Sequence, residues 1–149
     1  ETATYKSGFR TFDKEGNTTE DTEYNQDGSV KRREINKYSG KNKTEEIVEN
    51  HSTGDDDGPK VYKRTTFKYD ADGDKTEEVE YNSKGAIEKK TTFAYNKNKD
   101  KQFEMVYDGS GKLVKKTVYG YDPKGLKITR SVYGPDGVLI KMVKYTYGY

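Results

Sequence analysis

Apolar and β-branched positions along the chain fall into short runs in which they partly alternate with polar ones. Lys90-Thr91-Thr92-Phe93-Ala94-Tyr95, Thr117-Val118-Tyr119-Gly120-Tyr121 and Val143-Lys144-Tyr145-Thr146-Tyr147 are the clearest. A period of two with β-branched and aromatic residues is the pattern of a half-buried strand. No segment carries a convincing helical period, and none of the three Pro residues interrupts a strand pattern.

One string separates the runs: an aromatic residue, Asp or Asn, two variable residues, then Gly. It reads Phe12-Asp13 to Gly16, Tyr24-Asn25 to Gly28, Tyr69-Asp70 to Gly73, Tyr81-Asn82 to Gly85, Tyr107-Asp108 to Gly111 and Tyr121-Asp122 to Gly125. A degenerate copy runs from Tyr133 to Gly137, with Gly134 in the Asp place. Asp or Asn first and Gly fourth favour a type I turn whose last residue takes a positive φ, as in the Gly-bulge hairpin. From Tyr69 the leading aromatics are spaced alternately by 12 and 14 residues, through Tyr81, Tyr95, Tyr107, Tyr121 and Tyr133 to Tyr147, a two-strand period of 26. Phe12, Tyr24 and Tyr38 keep the same spacing. Asn50 with Gly54 is a weakened copy, and five extra residues, Asp55-Asp56-Asp57-Gly58-Pro59, displace the phase before Tyr69.

The pattern predicts strands near 3–11, 17–24, 29–37, 43–50, 61–69, 74–81, 86–95, 101–107, 112–121, 126–133 and 138–147. Tight hairpins pair each strand with its sequence neighbours. The expected fold is therefore all-β, an antiparallel meander of about 11 strands built from 26-residue two-strand repeats. Residues 1–149 read as a single domain with an acidic loop insertion near 55–59. The sheet is expected open and twisted or coiled, the alternative being a sheet folded over into a sandwich.

Composition sharpens this. Only 29% of the 149 residues are hydrophobic and 36% are charged, so any core is thin. The 14 Tyr and 5 Phe, with a net charge of only +2, set the chain apart from a disordered one. Of 20 Leu, Ile, Val and Met residues, 13 lie in 101–149, and that segment carries a net +5 against −3 for residues 1–100. Compact packing is expected around Leu113, Val118, Leu126, Ile128, Val132, Leu139, Ile140 and Val143. The earlier strands, such as Lys31-Arg32-Arg33-Glu34 and Thr76-Glu77-Glu78-Val79-Glu80, must depend on cross-strand charge and Thr pairs. Two ladders are expected across the long strands: Phe67, Phe93, Tyr119 and Tyr145, and Val30, Val61, Ile87, Leu113 and Leu139.

The turn string Tyr-Asp-x-x-Gly followed by a short strand, repeated over residues 12–147, resembles the YD or Rhs repeat family of bacterial surface and secreted proteins. The resemblance implies a coiled antiparallel sheet, a secreted or cell-surface location (periplasm or outer surface), and in some members carbohydrate binding. In large members the sheet forms a shell around a toxin or effector. Here the two-strand period is longer than the family's usual repeat, the chain is too short to enclose anything, and no protease signature for toxin release is present. The start at Glu1, without Met, is what removal of a tag or a signal peptide would leave.

Candidate chemistry is limited. With no Cys there is no disulfide and no thiolate metal site, and a single His, His51, disfavours His-based catalysis. Asp70-Ala71-Asp72-Gly73-Asp74 spaces its acids like the start of a calcium loop. Lys75 stands where an EF-hand needs Gly and Tyr81 where it needs Glu, so the segment reads as a hairpin turn. Asp55, Asp56 and Asp57 read as a solvated loop rather than a cation site. His51, Ser52 and Asp55 lie too close in sequence for a hydrolytic triad. Lys31-Arg32-Arg33, Lys89-Lys90 and Lys115-Lys116 form a recurring basic row, which reads first as pairing with Glu-rich strands. The near-zero net charge argues against a dedicated nucleic-acid binder. Neither a cofactor nor a metal is expected, and no transmembrane segment.

The exposed Tyr rows carry the functional expectation. Rings on a β surface stack on sugars and supply rigid contact area at protein interfaces. Tyr95, Tyr119, Tyr121 and Tyr145 are the candidate ligand-binding residues, beside the structural reading in which the rings cover backbone. The sequence thus points to a non-enzymatic, secreted or cell-surface β-repeat scaffold or interaction module, with a cell-surface glycan or a protein as partner. The alternative is a fragment of a larger Rhs-like toxin-delivery shell.

Overall fold

The computed structural model describes residues 7–51 and 61–148. The strands are β1 (Gly8–Phe12), β2 (Thr18–Tyr24), β3 (Val30–Ser39), β4 (Asn42–Asn50), β5 (Val61–Tyr69), β6 (Lys75–Tyr81), β7 (Ile87–Tyr95), β8 (Lys101–Asp108), β9 (Leu113–Tyr121), β10 (Lys127–Tyr133) and β11 (Leu139–Lys144). They form one open antiparallel sheet in sequence order, β1 through β11. Among the described residues no helix is long and apolar enough to cross a membrane. Residues 3–6 of the expected first strand and the acidic insertion at 55–59 lie outside the described residues.

The turns are built by the Asp or Asn side chain. Oδ1 of Asp122 accepts the backbone N–H of Lys124 at 2.9 Å and of Leu126 at 2.8 Å. Asp70, Asn82, Asn96 and Asp108 repeat both bonds. Gly125, at φ 80°, then donates its N–H to the Asp122 carbonyl at 3.0 Å. A Cβ is disfavoured at that φ. Tyr95-Asn96 opens a copy of this turn in which Lys99 takes the Gly place at φ 66°. Between β3 and β4 the hairpin is tighter, Ser39 lying opposite Asn42 with Gly40 at φ 60°.

The described pairings other than that of β4 with β5 also carry a β-bulge. Tyr107 faces Leu113 while Val106 faces Lys115, leaving Val114 as the extra residue. Ile128 and Ile140 occupy the same place in the next two hairpins. A bulge interrupts the alternation of faces, and this corrects the expected apolar packing. Val114, Ile128 and Ile140 are 47%, 38% and 68% exposed, and Leu126 and Leu139 are exposed too. Of the expected cluster only Val132 is buried. The expected aliphatic ladder likewise lies at strand starts, where Ile87 and Leu139 are exposed beside the turns.

Mid-strand threonines are buried in their place. Thr65, Thr91 and Thr117 sit one repeat apart, and Thr117 is fully buried, opposite Glu104 on one side and Val132 on the other. A mid-strand residue has cross-strand neighbours on both sides, which a residue at a hairpin mouth lacks.

The chain divides into two compact units, Glu1–Phe67 with Glu80–Ala86, and Lys68–Val79 with Ile87–Tyr149. In the first, charge pairs span the strands as the sequence led one to expect. Arg10 pairs with Asp21 directly opposite it, and Arg33 Nε donates to Glu20 Oε1 at 2.9 Å. Glu45 of β4 is reached by Lys37 of β3 and Arg64 of β5, both at 2.6 Å. Those bonds hold the carboxyls of Glu20 and Glu45 below their usual value of 4.5. Thr22 and Asn36 are buried, and Asn36 Nδ2 donates to the Thr18 carbonyl and the Glu34 carboxylate.

In the second unit Glu77 of β6 binds Lys68 at 2.7 Å and Lys90 at 2.8 Å. Toward β11 the carboxylates give way to aromatic rings and lysine stems, and these form the candidate site.

Candidate aromatic–lysine surface

The register places the aromatic rows. Phe93 lies opposite Glu104, Glu104 opposite Thr117, Thr117 opposite Val132 and Val132 opposite Lys141. Directly opposed residues share a face, and so do residues two apart along a strand. Tyr95 therefore lies with Phe93, Tyr119 and Tyr121 with Thr117, and Tyr145 with Lys141 and Val143. All four candidate tyrosines stand on one face of the second unit, spread over β7, β9 and the end of β11.

Their hydroxyls fall into two sets. Tyr95 donates to the carbonyl of Lys75 at 2.8 Å, Tyr121 to that of Lys101 at 2.7 Å, and Tyr147 to that of Lys127 at 2.8 Å. The three bonds are one device repeated at the 26-residue period. The aromatics that close β7 and β9, and Tyr147 just past β11, each latch the first residue of the even-numbered strand before them. Tyr119 donates instead to Glu104 Oε2 at 3.4 Å, and Tyr145 is 37% exposed. Burial pushes the phenols of Tyr95, Tyr119 and Tyr121 above their usual value of 10.0.

Lysines interleave with the rings. Phe93 has the ammonium of Lys101 at 4.6 Å and that of Lys75 at 5.2 Å from its centroid, and Tyr119 has Lys127 at 4.9 Å. Lys75, Lys101 and Lys127 open β6, β8 and β10, so their carbonyls serve the latch while their ammonium groups lie over rings. Such pairs contribute about 0.5–1 kcal/mol each at exposed sites. The result is a strip in which aromatic ring and cation alternate across the strands.

The other face carries a feature that the Tyr rows did not announce. An open groove of about 470 Å³ is lined by residues including Lys116, Val118, Tyr133 and Gly137. A smaller one of about 200 Å³ is lined by Lys90, Thr92, Tyr107 and Gly111, each 26 residues earlier. Lys90 is paired with Glu77, whereas Lys116 lies over Phe103 at 4.8 Å. The signal was available in the basic row, since Lys90 and Lys116 stand opposite Tyr107 and Tyr133.

The remaining candidates are placed as follows. Asp70 Oδ1 accepts the N–H groups of Asp72 and Asp74, the turn role. Among the described residues no three His, Cys, Asp or Glu side chains gather as a metal-ligand set. His51 Nε2 stands 3.7 Å from Glu49 Oε2, and Ser52 and Asp55 lie outside the described residues, as do Asp56 and Asp57.

No protein-family model and no curated protein sequence matches the chain. Among solved structures, it is similar to a protein of unknown function from Bacteroides fragilis, with a TM-score of 0.54 at 17% identity, over 76% of this chain and 91% of that one. A complex of TcdB2, TccC3 and Cdc42 aligns at 14% identity with a TM-score of 0.32, over 89% of this chain and 8% of that one. The first likeness is one of fold, an all-β antiparallel meander.

Proposed function

We propose that the protein is a non-catalytic β-repeat interaction module, working in a secreted or cell-surface setting and binding a linear glycan through the strip that holds Tyr95, Tyr119, Tyr121 and Tyr145. The observation that carries this reading is the repetition of aromatic ring and lysine along one face at the two-strand spacing. Neighbouring strands lie about 4.8 Å apart, so equivalent rings recur every ~10 Å. A linear polymer whose own units repeat on that scale meets the same chemistry at each step. Pyranose faces stack on aromatic rings, and lysine supplies donors to hydroxyl or carboxylate oxygens. The Tyr-Asp-x-x-Gly string, through its resemblance to the YD or Rhs repeats, supports the secreted or surface setting.

The test is a binding screen against linear polysaccharides, neutral and acidic, with three variants. Tyr119→Ser with Tyr145→Ser removes rings whose hydroxyls do not latch a backbone carbonyl. Tyr95→Phe with Tyr121→Phe removes two latches but keeps the rings. Tyr133→Ala empties the groove on the opposite face. Saturable binding lost only in the Ser pair, with unchanged β-sheet circular dichroism, is the expected result. Loss confined to Tyr133→Ala would move the site to the other face, and no binding to any glycan would overturn the glycan reading.

A further inference from the structure

Two even-numbered strands carry a glutamate that answers cations of the odd-numbered strands on both sides. Glu45 of β4 takes Lys37 of β3 and Arg64 of β5. Glu77 of β6 takes Lys68 of β5 and Lys90 of β7. A glutamate between two odd-numbered strands is thus shared by both.

Among the described residues, β11 is an odd-numbered strand paired on one side only, with β10. That neighbour does not answer it. β10 has Thr129 and Arg130 at the places where β6 has Glu77 and Glu78. Lys141 and Lys144 have no carboxylate within ion-pair distance among the described residues. They stand on opposite faces, Lys141 with Val132 and Lys144 with Thr129.

The edge itself is open and apolar. Tyr145 N–H donates inward to the Ile128 carbonyl at 3.0 Å, and antiparallel alternation therefore turns the N–H groups of Lys144 and Met142 outward. Val138, Leu139, Ile140 and Met142 are 60%, 45%, 68% and 48% exposed, concentrated on this last hairpin. At the other edge, Arg10 of β1 is already paired with Asp21. Native sheets usually blunt a free edge, and an apolar one with outward donors is a template for pairing.

We propose that β11 is a docking edge that takes an acidic, extended strand of a partner protein as an added antiparallel strand. The kind of partner is read from the chain's own β6, Lys75-Thr-Glu-Glu-Val-Glu-Tyr81. Its carboxylates would meet Lys141 on one face and Lys144 on the other, and its apolar residue would cover Met142. The outward backbone groups would pair as those of an interior odd-numbered strand do. This proposal uses a different surface from the glycan reading and stands apart from it.

The probe is a fluorescently labelled peptide with the sequence of residues 74–82, whose binding to the full chain is followed by polarisation. Saturable binding is expected. Met142→Pro removes one outward donor and no inward one, and should weaken binding roughly tenfold or more, the scale of one lost hydrogen bond with its desolvation. Unchanged circular dichroism would confirm that this variant folds. Lys141→Glu with Lys144→Glu should also weaken binding, and a peptide with its glutamates changed to Lys should recover affinity for that variant. Tyr119→Ser should leave peptide binding intact, so loss of glycan binding and loss of strand docking are read separately. Equal binding by wild type and Met142→Pro would overturn the proposal. So would indifference to charge reversal, or a concentration-dependent dimer blocked by Met142→Pro with no peptide binding, which would assign the edge to a second copy.

Discussion

The strands β2–β4 and β8–β10 follow the same meander, with the same turn between their first two strands, but differ in side-chain chemistry. In β2–β4 the cross-strand pairs are ionic, Arg33 with Glu20 and Lys37 with Glu45, and the buried residues there are Thr22 and Asn36. In β8–β10 Lys101 lies over the Phe93 ring of neighbouring β7 and Lys127 over Tyr119, Tyr121 makes its latch, and Thr117, Ser131 and Val132 are buried. Both sets share turns in which the backbone makes the same bonds: Gly28 N–H to the Asn25 carbonyl and Gly111 N–H to the Asp108 carbonyl, each at 3.0 Å. The turn and its bulge set the fold, and the residues between turns are free to hold the strands by charge or by ring.

Acid separates the two regions most strongly. Arg33 holds the Glu20 carboxyl below its ordinary value, and Lys37 and Arg64 do so for Glu45. A carboxylate depressed in the folded state contributes stability that is present above its unfolded value near 4.5 and is lost as pH falls through the folded one. Amides of β2–β4 should lose hydrogen-exchange protection as pH falls below about 4.5, while those of β9 and β10 keep theirs. Simultaneous loss in both regions would show that the ionic pairs do not distinguish them.

The shared backbone is tested next. A Cβ on Gly109 would run into the Ile87 carbonyl of the neighbouring strand. Gly109→Ala should cost about 3 kcal/mol, the upper range for forced overpacking, read as a lower denaturant midpoint. At Gly28 a Cβ meets nothing within 4 Å, so Gly28→Ala should cost only the positive-φ penalty of about 1–2 kcal/mol.

Salt distinguishes charge from ring. Glu45→Gln and Tyr121→Phe should each cost about 1 kcal/mol at low ionic strength. In 1 M salt the first penalty should shrink and the second should not. The smallest effect is a gain. Lys99 occupies a left-handed position in the turn after β7, and Lys99→Gly should raise stability by roughly 0.5–1 kcal/mol in thermal melts.

The strand boundaries were legible because the turns are local chemistry: an acceptor side chain, then a residue at positive φ four places after the aromatic. The strand pattern at 61–69 matches β5 and that at 86–95 matches β7 to one residue. The expected core was not legible, because bulges follow from hairpin register rather than from composition. Ile128 and Ile140 look like core residues in sequence and are the extra, outward residues of their hairpins. Thr117 looks like a surface residue and is fully buried. At the candidate site, the Tyr periodicity located the face. The latch of Tyr121 on Lys101 and the groove at Lys116 and Tyr133 depend on which strand lies beside which.

The strict sequence order of the strands has a consequence for how the chain is made. Each described pairing joins a strand only to its immediate predecessor or successor, so a growing polypeptide can add one hairpin at a time without waiting for distant segments. Loop closure is short at every step but the one from Asn50 to Val61, and short closure favours rapid formation. The same independence suits the gene: duplicating a 26-residue unit inserts one odd-numbered and one even-numbered strand, with turn, bulge and latch already in phase. Length in such a protein is a quantity that copying can change in whole steps.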